Sequence, residues 1–119
     1  MPFLFERQDV YRQALDFAEQ CDGLTGDFPA RAHPLTDELR SRSLSIPVLV
    51  ASANAVRDPA GRARLLEEAQ KAAFACVPLL ELLERRSFLT SAQRHHVKLL
   101  VDELSRKLTA AFQVTGGKG

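Results

Sequence analysis

Hydrophobic residues recur along the chain at the spacing of three to four residues that is typical of an amphipathic α-helix, and they do so in four separate segments. The first segment places Val10, Ala14, Phe17 and Cys21 on one stripe, with polar residues between them. No segment shows the alternation of apolar and polar residues that indicates a half-buried strand. The pattern therefore predicts an all-α protein.

The residues between these segments indicate where the helices end. Gly23 and Gly26 are expected to terminate the first helix, and Asp58 followed by Pro59 suits the start of the third, as a cap and a first-turn proline. The predicted helices span about residues 8–22, 35–55, 59–86 and 91–113, with a tail at 114–119 that is expected to be disordered. Because most connections are short, a single domain with an antiparallel up-down-up-down four-helix bundle is the expected fold.

Three of the four helices carry more apolar residues than one inner face needs. The second helix is apolar almost all the way round near Pro47, the third has a second apolar stripe, and Leu99 lies opposite the inner face of the fourth. Pro47 and Pro78 are expected to bend their helices. Surplus apolar surface usually marks an interface, so the chain is predicted to form a homo-oligomer. The candidate interface residues are Leu44, Val48, Ala51, Leu66, Val77, Leu80 and Leu99.

Charge adds one candidate surface. The chain of 119 residues has a formal net charge of +1, without the basic excess of proteins that coat nucleic acid unaided. Residues 1–56 have five Lys and Arg against eight Asp and Glu, whereas residues 57–119 have eleven against seven. This basic half either pairs its charges within solvated helices, as Asp102 and Arg106 would, or binds nucleic acid. The candidate nucleic-acid-binding residues are Arg62, Arg64, Arg85, Arg86, Arg94, Lys98, Arg106 and Lys107.

No catalytic or metal-binding pattern is found. Cys21 and Cys76 are far apart and form no CxxC motif, and no histidine has a Glu three residues before it, so no cofactor, no metal and no enzymatic activity are expected. The apolar run at the N-terminus is interrupted by Glu6, and the longest uncharged stretch, residues 43–56, is too short to span a membrane. The protein is therefore predicted to be cytoplasmic and not to bind a membrane.

Several short motifs resemble those of the bacterial four-helix bundle proteins first noticed as products of intervening sequences within large ribosomal RNA genes. These proteins are related to the accessory variability proteins of diversity-generating retroelements. The similarity runs from about Val10 to Phe112. It is carried by Val10-Tyr11 with Ala14, Phe28-Pro29, Leu35-Thr36 with Leu39-Arg40, Ser45-Ile46-Pro47 with Ala51, Leu66 with Ala69, and Phe88-Leu89.

This resemblance implies an antiparallel four-helix bundle that assembles into a ring-shaped homopentamer with no established catalytic activity. The retroelement relatives are implied to bind nucleic acid and a reverse transcriptase through a basic surface. The chain departs from the family pattern at residues 48–53 and 75–78, where apolar residues replace polar and acidic ones. We therefore expect a bundle held together by packing, with nucleic-acid binding as the alternative function.

Overall fold

The computed structural model describes residues 8–114, so the predicted tail at 114–119 lies outside them except for Val114, which belongs to the last helix. Within this range the chain forms four long helices and no strand, so the all-α prediction is confirmed. The helices are α1 (Asp9–Thr25), α2 (His33–Ala55), α3 (Pro59–Arg85) and α4 (Ser91–Val114), with a short 3₁₀ helix (Ala30–Ala32) before α2.

The helices form an antiparallel bundle with up-down-up-down topology, as predicted. Each helix packs against the next one along the chain, and α4 closes the arrangement by packing against α1. The helices thus occupy the corners of a square, in which α1 and α3 are diagonal and α2 and α4 are diagonal. The side formed by α1 and α2 therefore lies opposite the side formed by α3 and α4.

All four helices contribute large side chains to one hydrophobic core. Phe17 of α1, Ile46 of α2, Leu80 of α3 and Leu104 of α4 are fully buried. Burial of each such side chain stabilises the fold by roughly 1.5–3 kcal/mol. Because the stripes repeat with helical periodicity, these positions could be assigned to inner faces from the sequence.

Two helix ends differ from the prediction. The first helix does not stop at residue 22 but continues to Thr25, whose hydroxyl donates a hydrogen bond to the carbonyl of Cys21 at 2.9 Å. The second helix begins at His33 rather than at residue 35, with Pro34 in its first turn, where a missing N–H costs no hydrogen bond. Both α2 and α3 remain helical through their internal residues Pro47 and Pro78.

The connection from α3 to α4 is defined by two capping motifs. The N–H of Phe88 donates to the carbonyl of Leu83 at 2.9 Å, and the N–H of Ser87 donates to that of Glu84 at 2.9 Å. These bonds form a Schellman motif, in which Ser87 takes the left-handed conformation with φ of 66°. Thr90 and Gln93 then exchange side-chain and backbone hydrogen bonds as a capping box, which begins α4.

Candidate interaction surfaces

The two cysteines belong to the core. Cys21 of α1 and Cys76 of α3 are free and fully buried. Burial raises the pKa of each thiol to about 12, because the thiolate is poorly solvated there. A thiol in this state is a poor nucleophile. Across residues 8–114, no group of three or more His, Cys, Asp or Glu residues is arranged to hold a metal ion.

One exposed apolar surface lies on the side formed by α1 and α2. Leu15, Leu44 and Val48 are exposed, Val48 to 63% of its surface, and we call these three residues the α1–α2 patch. Leu44 and Val48 are one turn apart on α2, so they lie on the same face. Ala51, one turn after Val48, is half-buried beside them.

The contacts between α1 and α2 bring Leu15 level with this stripe. Arg40 Nε lies 3.2 Å from a carboxylate oxygen of Asp22, and Gln8 Nε2 donates to Asn54 Oδ1 at 3.4 Å. In both pairs the two residue numbers add up to the same total. In antiparallel helices this means that neither helix shifts along the other between the two contacts. Leu15 therefore lies level with residue 47, between Leu44 and Val48 along the bundle.

Apolar side chains are also exposed on α3 and α4. Phe74, Pro78 and Leu82 follow one another at four-residue intervals along α3, and all three are exposed, Phe74 to 57%. Leu99 is exposed on α4, on the face opposite its buried residues, and we call these four exposed residues of α3 and α4 the α3–α4 patch. Phe74 comes one turn after Gln70, whose amide donates to Ser105 and Thr109 of α4, so it lies on the side of α3 next to α4.

The structure separates the predicted interface residues into two groups. Leu44, Val48 and Leu99 are exposed, and Ala51 and Val77 are half-buried, so these five remain candidates. By contrast, the assignment of Leu66 and Leu80 to an exposed stripe is wrong: only 4% and 1% of their surfaces are exposed. α3 packs against both α2 and α4, and this broad contact buries both of its apolar stripes.

Four apolar members of the patches were missed at the sequence level: Leu15, Phe74, Pro78 and Leu82. The signal that could have found Phe74 and Leu82 was their common four-residue spacing with Pro78. Leu15 had no such signal, because its exposure depends on how α1 is rotated against α2.

The eight predicted basic residues do not form one continuous surface. Three of them are held by the protein itself: Arg62 donates to the carbonyls of Val56 and Arg57, Arg94 pairs with Glu84 at 2.7 Å, and Lys107 lies 3.7 Å from Asp9. The other five form no ion pair with the described part of the chain: Arg64, Arg85, Arg86, Lys98 and Arg106. The i,i+4 pair expected between Asp102 and Arg106 is therefore not formed.

The unpaired arginines of α3 lie at different ends of the bundle. Arg64 is in the second turn of α3, and Arg85 is its last residue, which at 1.5 Å per residue separates them by about 30 Å along the helix axis. Arg85 and Arg86 are exposed beside the α3–α4 connection, and Arg31 is exposed in the α1–α2 connection at the same end.

Contacts between these two connections fix Arg31. Its guanidinium lies over the ring of Phe88, 5.0 Å from the ring centroid, and the rings of Phe28 and Phe88 are 5.8 Å apart between centroids. Such a cation–π contact orients the guanidinium without neutralising its charge. Arg31 was not among the predicted basic residues, because nothing in the sequence indicates that the two connections touch. We call Arg31, Arg85 and Arg86 the arginine end of the bundle.

An open cleft of about 710 Å³ lies at the other end, where α1 and α3 begin and α2 and α4 end. Val10, Val50 and Leu66 are among its apolar lining residues. Two polar residues at its edge are already engaged, since Asn54 donates to the carbonyl of Val50 and Arg62 donates to backbone carbonyls. The cleft is thus mainly an apolar opening, and both of these polar residues bond to the protein itself.

None of the described helices is both long enough and apolar enough to cross a membrane.

The fold and its surfaces define an antiparallel four-helix bundle protein whose candidate sites are patches on the helix faces and at the loop end. The chain belongs to the 23S rRNA-intervening sequence protein family, whose model matches residues 6–110.

A solved structure supports the same fold. The crystal structure of a protein of unknown function from the S23 ribosomal protein family of Bacteroides thetaiotaomicron is similar to this chain with a TM-score of 0.77. The two sequences are 20% identical, and the similarity covers 87% of this chain and 97% of the other. Comparison with curated proteins gives no significant match.

Proposed function

We propose that this protein is a non-enzymatic, cytoplasmic scaffold that works as a ring-shaped homo-oligomer. The observation that carries this proposal is the exposure of large apolar side chains on all four helices of one small bundle. Val48 and Phe74 each leave more than half of their surface uncovered, and Leu44, also exposed, lies one turn from Val48. Contiguous apolar surface of this kind marks sites of protein association. A pentamer is what the family resemblance implies.

Two features of the chain support the non-enzymatic and cytoplasmic parts of the proposal. Both thiols are buried with a raised pKa, which suits packing and disfavours nucleophilic catalysis. Both are also unpaired, as is usual for cysteines in a reducing compartment. Residues 48–53, where relatives carry polar groups, include Val48 of the apolar patch, which favours a role in association.

Multi-angle light scattering of the wild-type protein and of Val48→Glu tests the assembly. The wild type is expected to have a mass several times 13.2 kDa, and the variant is expected to be a monomer of unchanged helicity by circular dichroism. Gln20→Glu is the matched control. It adds the same acidic side chain at an exposed position three turns after Asp9, on the side of α1 that faces α4. A monomeric wild type at micromolar concentration would overturn the proposal.

A second candidate function is binding of nucleic acid, and the arginine end of the bundle favours it. Arg31, Arg85 and Arg86 come from two connections that pack together, and they form no ion pair with the described residues. Repetition of this cluster around an oligomer would multiply its attraction for phosphates. The expected behaviour is RNA or DNA binding that weakens steeply as the salt concentration rises.

Fluorescence anisotropy with a labelled RNA at low salt tests this second candidate. The double variant Arg85→Glu, Arg86→Glu is expected to weaken binding and to reduce its salt dependence. The control Arg12→Glu, Arg42→Glu makes the same change of charge on the acidic half of the chain and is expected to leave binding near the wild-type level. Equal losses in both double variants, or no binding at low salt, would eliminate this function.

A further inference from the structure

We infer that the apolar segment Phe3-Leu4-Phe5 docks into the open cleft of its own copy, at the end of the bundle where α1 and α3 begin. The segment belongs to residues 1–7, which precede the described part of the chain. The inference gives the cleft an occupant from within the same chain. It applies to a single copy as well as to an oligomer, so it does not depend on the proposed assembly.

The polar residues that line the cleft are already engaged within the chain. Asp9 lies 3.7 Å from Lys107, and the side chains of Gln8 and Asn54 exchange hydrogen bonds at 3.4 and 3.5 Å. The guanidinium of Arg62 donates to two backbone carbonyls. The other seven of the eleven described lining residues are apolar. A polar ligand would have to compete with these bonds, whereas an apolar occupant leaves them intact.

The cleft is large enough to receive several side chains. Its volume of about 710 Å³ falls within the range of roughly 300–1,000 Å³ that is usual for cavities enclosing a small molecule. All four helices contribute to its lining, through residues such as Val10, Val50, Leu66 and Ala110. The first three of these also belong to the hydrophobic core. An apolar occupant would therefore extend the core to the end of the bundle.

The segment is attached at the edge of the cleft. Gln8, the first described residue, lines the cleft and has an extended backbone, with φ of −74° and ψ of 135°. An extended chain spans about 3.3–3.6 Å per residue, so Phe5 can lie up to about 10 Å from Gln8, and Phe3 up to about 17 Å. Residues two apart in an extended chain lie on the same side, which allows both rings to enter the cleft together.

The composition of the segment suits an apolar site. Phe3, Leu4 and Phe5 are three consecutive apolar residues, and two of them are aromatic. An aromatic side chain buries roughly 150–250 Å² of surface when it is covered. Two such rings left in water would add a large apolar area to a small protein, and the cleft that Gln8 lines offers them an apolar surface within reach.

Fluorescence of the variant Phe5→Trp tests the inference, because the chain contains no other tryptophan. An indole ring in an apolar site emits at shorter wavelength, and is quenched less by iodide, than a ring in water. The native variant is expected to emit at shorter wavelength than the same protein unfolded in urea.

A second substitution then blocks the cleft. Ala110→Glu, added to Phe5→Trp, places a carboxylate at the lining and is expected to shift the emission toward that of the unfolded protein. Ala92→Glu is the matched control, since it makes the same change at an exposed alanine in the first turn of α4, at the other end of the bundle. It is expected to leave the emission of Phe5→Trp unchanged.

Two results would overturn the inference. One is a native Phe5→Trp protein that emits as it does when unfolded. The other is equal emission from the Ala110→Glu and Ala92→Glu proteins, since the ring would then be covered elsewhere. Ala110 is exposed, so its substitution does not affect the core. If circular dichroism shows that the variant is unfolded, Val114→Glu replaces it, because Val114 also lines the cleft and is 87% exposed.

Refolding with wild-type protein distinguishes docking within one copy from docking between copies. The protein with Phe5→Trp and Ala110→Glu is refolded from urea with an excess of wild type, which has no tryptophan and an open cleft. Emission that stays at long wavelength supports docking within one copy. A return to short wavelength would show that the cleft of another copy receives the segment, and it would overturn the inference. A monomeric wild type, which refutes the proposed oligomer, leaves these expectations unchanged.

Discussion

The substitution Leu104→Ala tests the inner face of α4. Leu104 is fully buried near the middle of α4, where it belongs to the same core as Phe17, Ile46 and Leu80. The change removes the three outer carbon atoms of the side chain and keeps the backbone helical, because alanine has the highest helix propensity. Its effect therefore reports packing rather than helix formation.

The expected loss of stability follows from this burial. At about 0.8 kcal/mol for each buried carbon group, the lost transfer free energy is about 2.4 kcal/mol. The cavity left between tightly packed helices raises the total to about 3–4 kcal/mol, since Leu→Ala changes in cores cost roughly 2–5 kcal/mol. For a chain of 119 residues, a loss of 3 kcal/mol lowers Tm by about 12 °C.

Urea unfolding followed by circular dichroism measures this loss, with wild type and variants at the same protein concentration because association also adds to stability. Glu103→Ala is the matched control, since Glu103 precedes Leu104 on α4 and is exposed. Its effect is expected to stay within about 0.5 kcal/mol of the wild type. Equal free energies of unfolding for the two variants would refute the assignment of Leu104 to the core.

Three further predictions concern single groups. Ser87→Gly is expected to raise Tm in a thermal melt by a few degrees at most. Glycine accepts the left-handed conformation that costs an L-residue roughly 1–2 kcal/mol, but its greater freedom in the unfolded chain offsets about 0.5–1 kcal/mol of this gain; a lower Tm would contradict this. Hydrogen bonds from Ser91 and Arg94 lower the pKa of Glu84 below its ordinary value. The ionised Glu84 carboxylate therefore stabilises the fold at neutral pH, and this stabilisation is lost as the pH falls through the lowered pKa. The difference in free energy of unfolding between wild type and Glu84→Gln is expected to shrink when urea unfolding is repeated from pH 7 toward pH 3. A difference that is constant with pH would be inconsistent with this role. Burial raises the thiol pKa of Cys21 and of Cys76 to about 12. Both thiols are expected to react with a thiol reagent only after the protein is unfolded in urea. Rapid labelling of the native protein would show that they are accessible.

The helical periodicity of the sequence was sufficient to predict the fold. Stripes such as Val10, Ala14, Phe17 and Cys21 define inner faces whichever way the helices are arranged, and Asp58 caps α3 as expected, accepting a hydrogen bond from the N–H of Gly61 at 3.2 Å. Local signals of this kind depend on residues within one or two turns of each other. The antiparallel bundle follows from them because the connections are short.

The surfaces were harder to predict, because exposure depends on contacts between helices that are distant in sequence. Leu66 and Leu80 were placed on an outer stripe, but α3 contacts two neighbours and buries both. Phe74 has an equally apolar side chain, and only the rotation of α3 in the bundle leaves it exposed. Arg31 joins the arginine end through a contact with Phe88, 57 positions later in the sequence.

The mass of the wild-type protein in solution tests the central claim most directly. Sedimentation equilibrium across micromolar concentrations is expected to give one mass that is a fixed multiple of 13.2 kDa and does not grow with concentration, since a closed ring leaves no patch free for further addition. Five copies would agree with the family resemblance. A mass of 13.2 kDa throughout the range would contradict the account, because the two apolar patches would then remain exposed to water on a stable monomer.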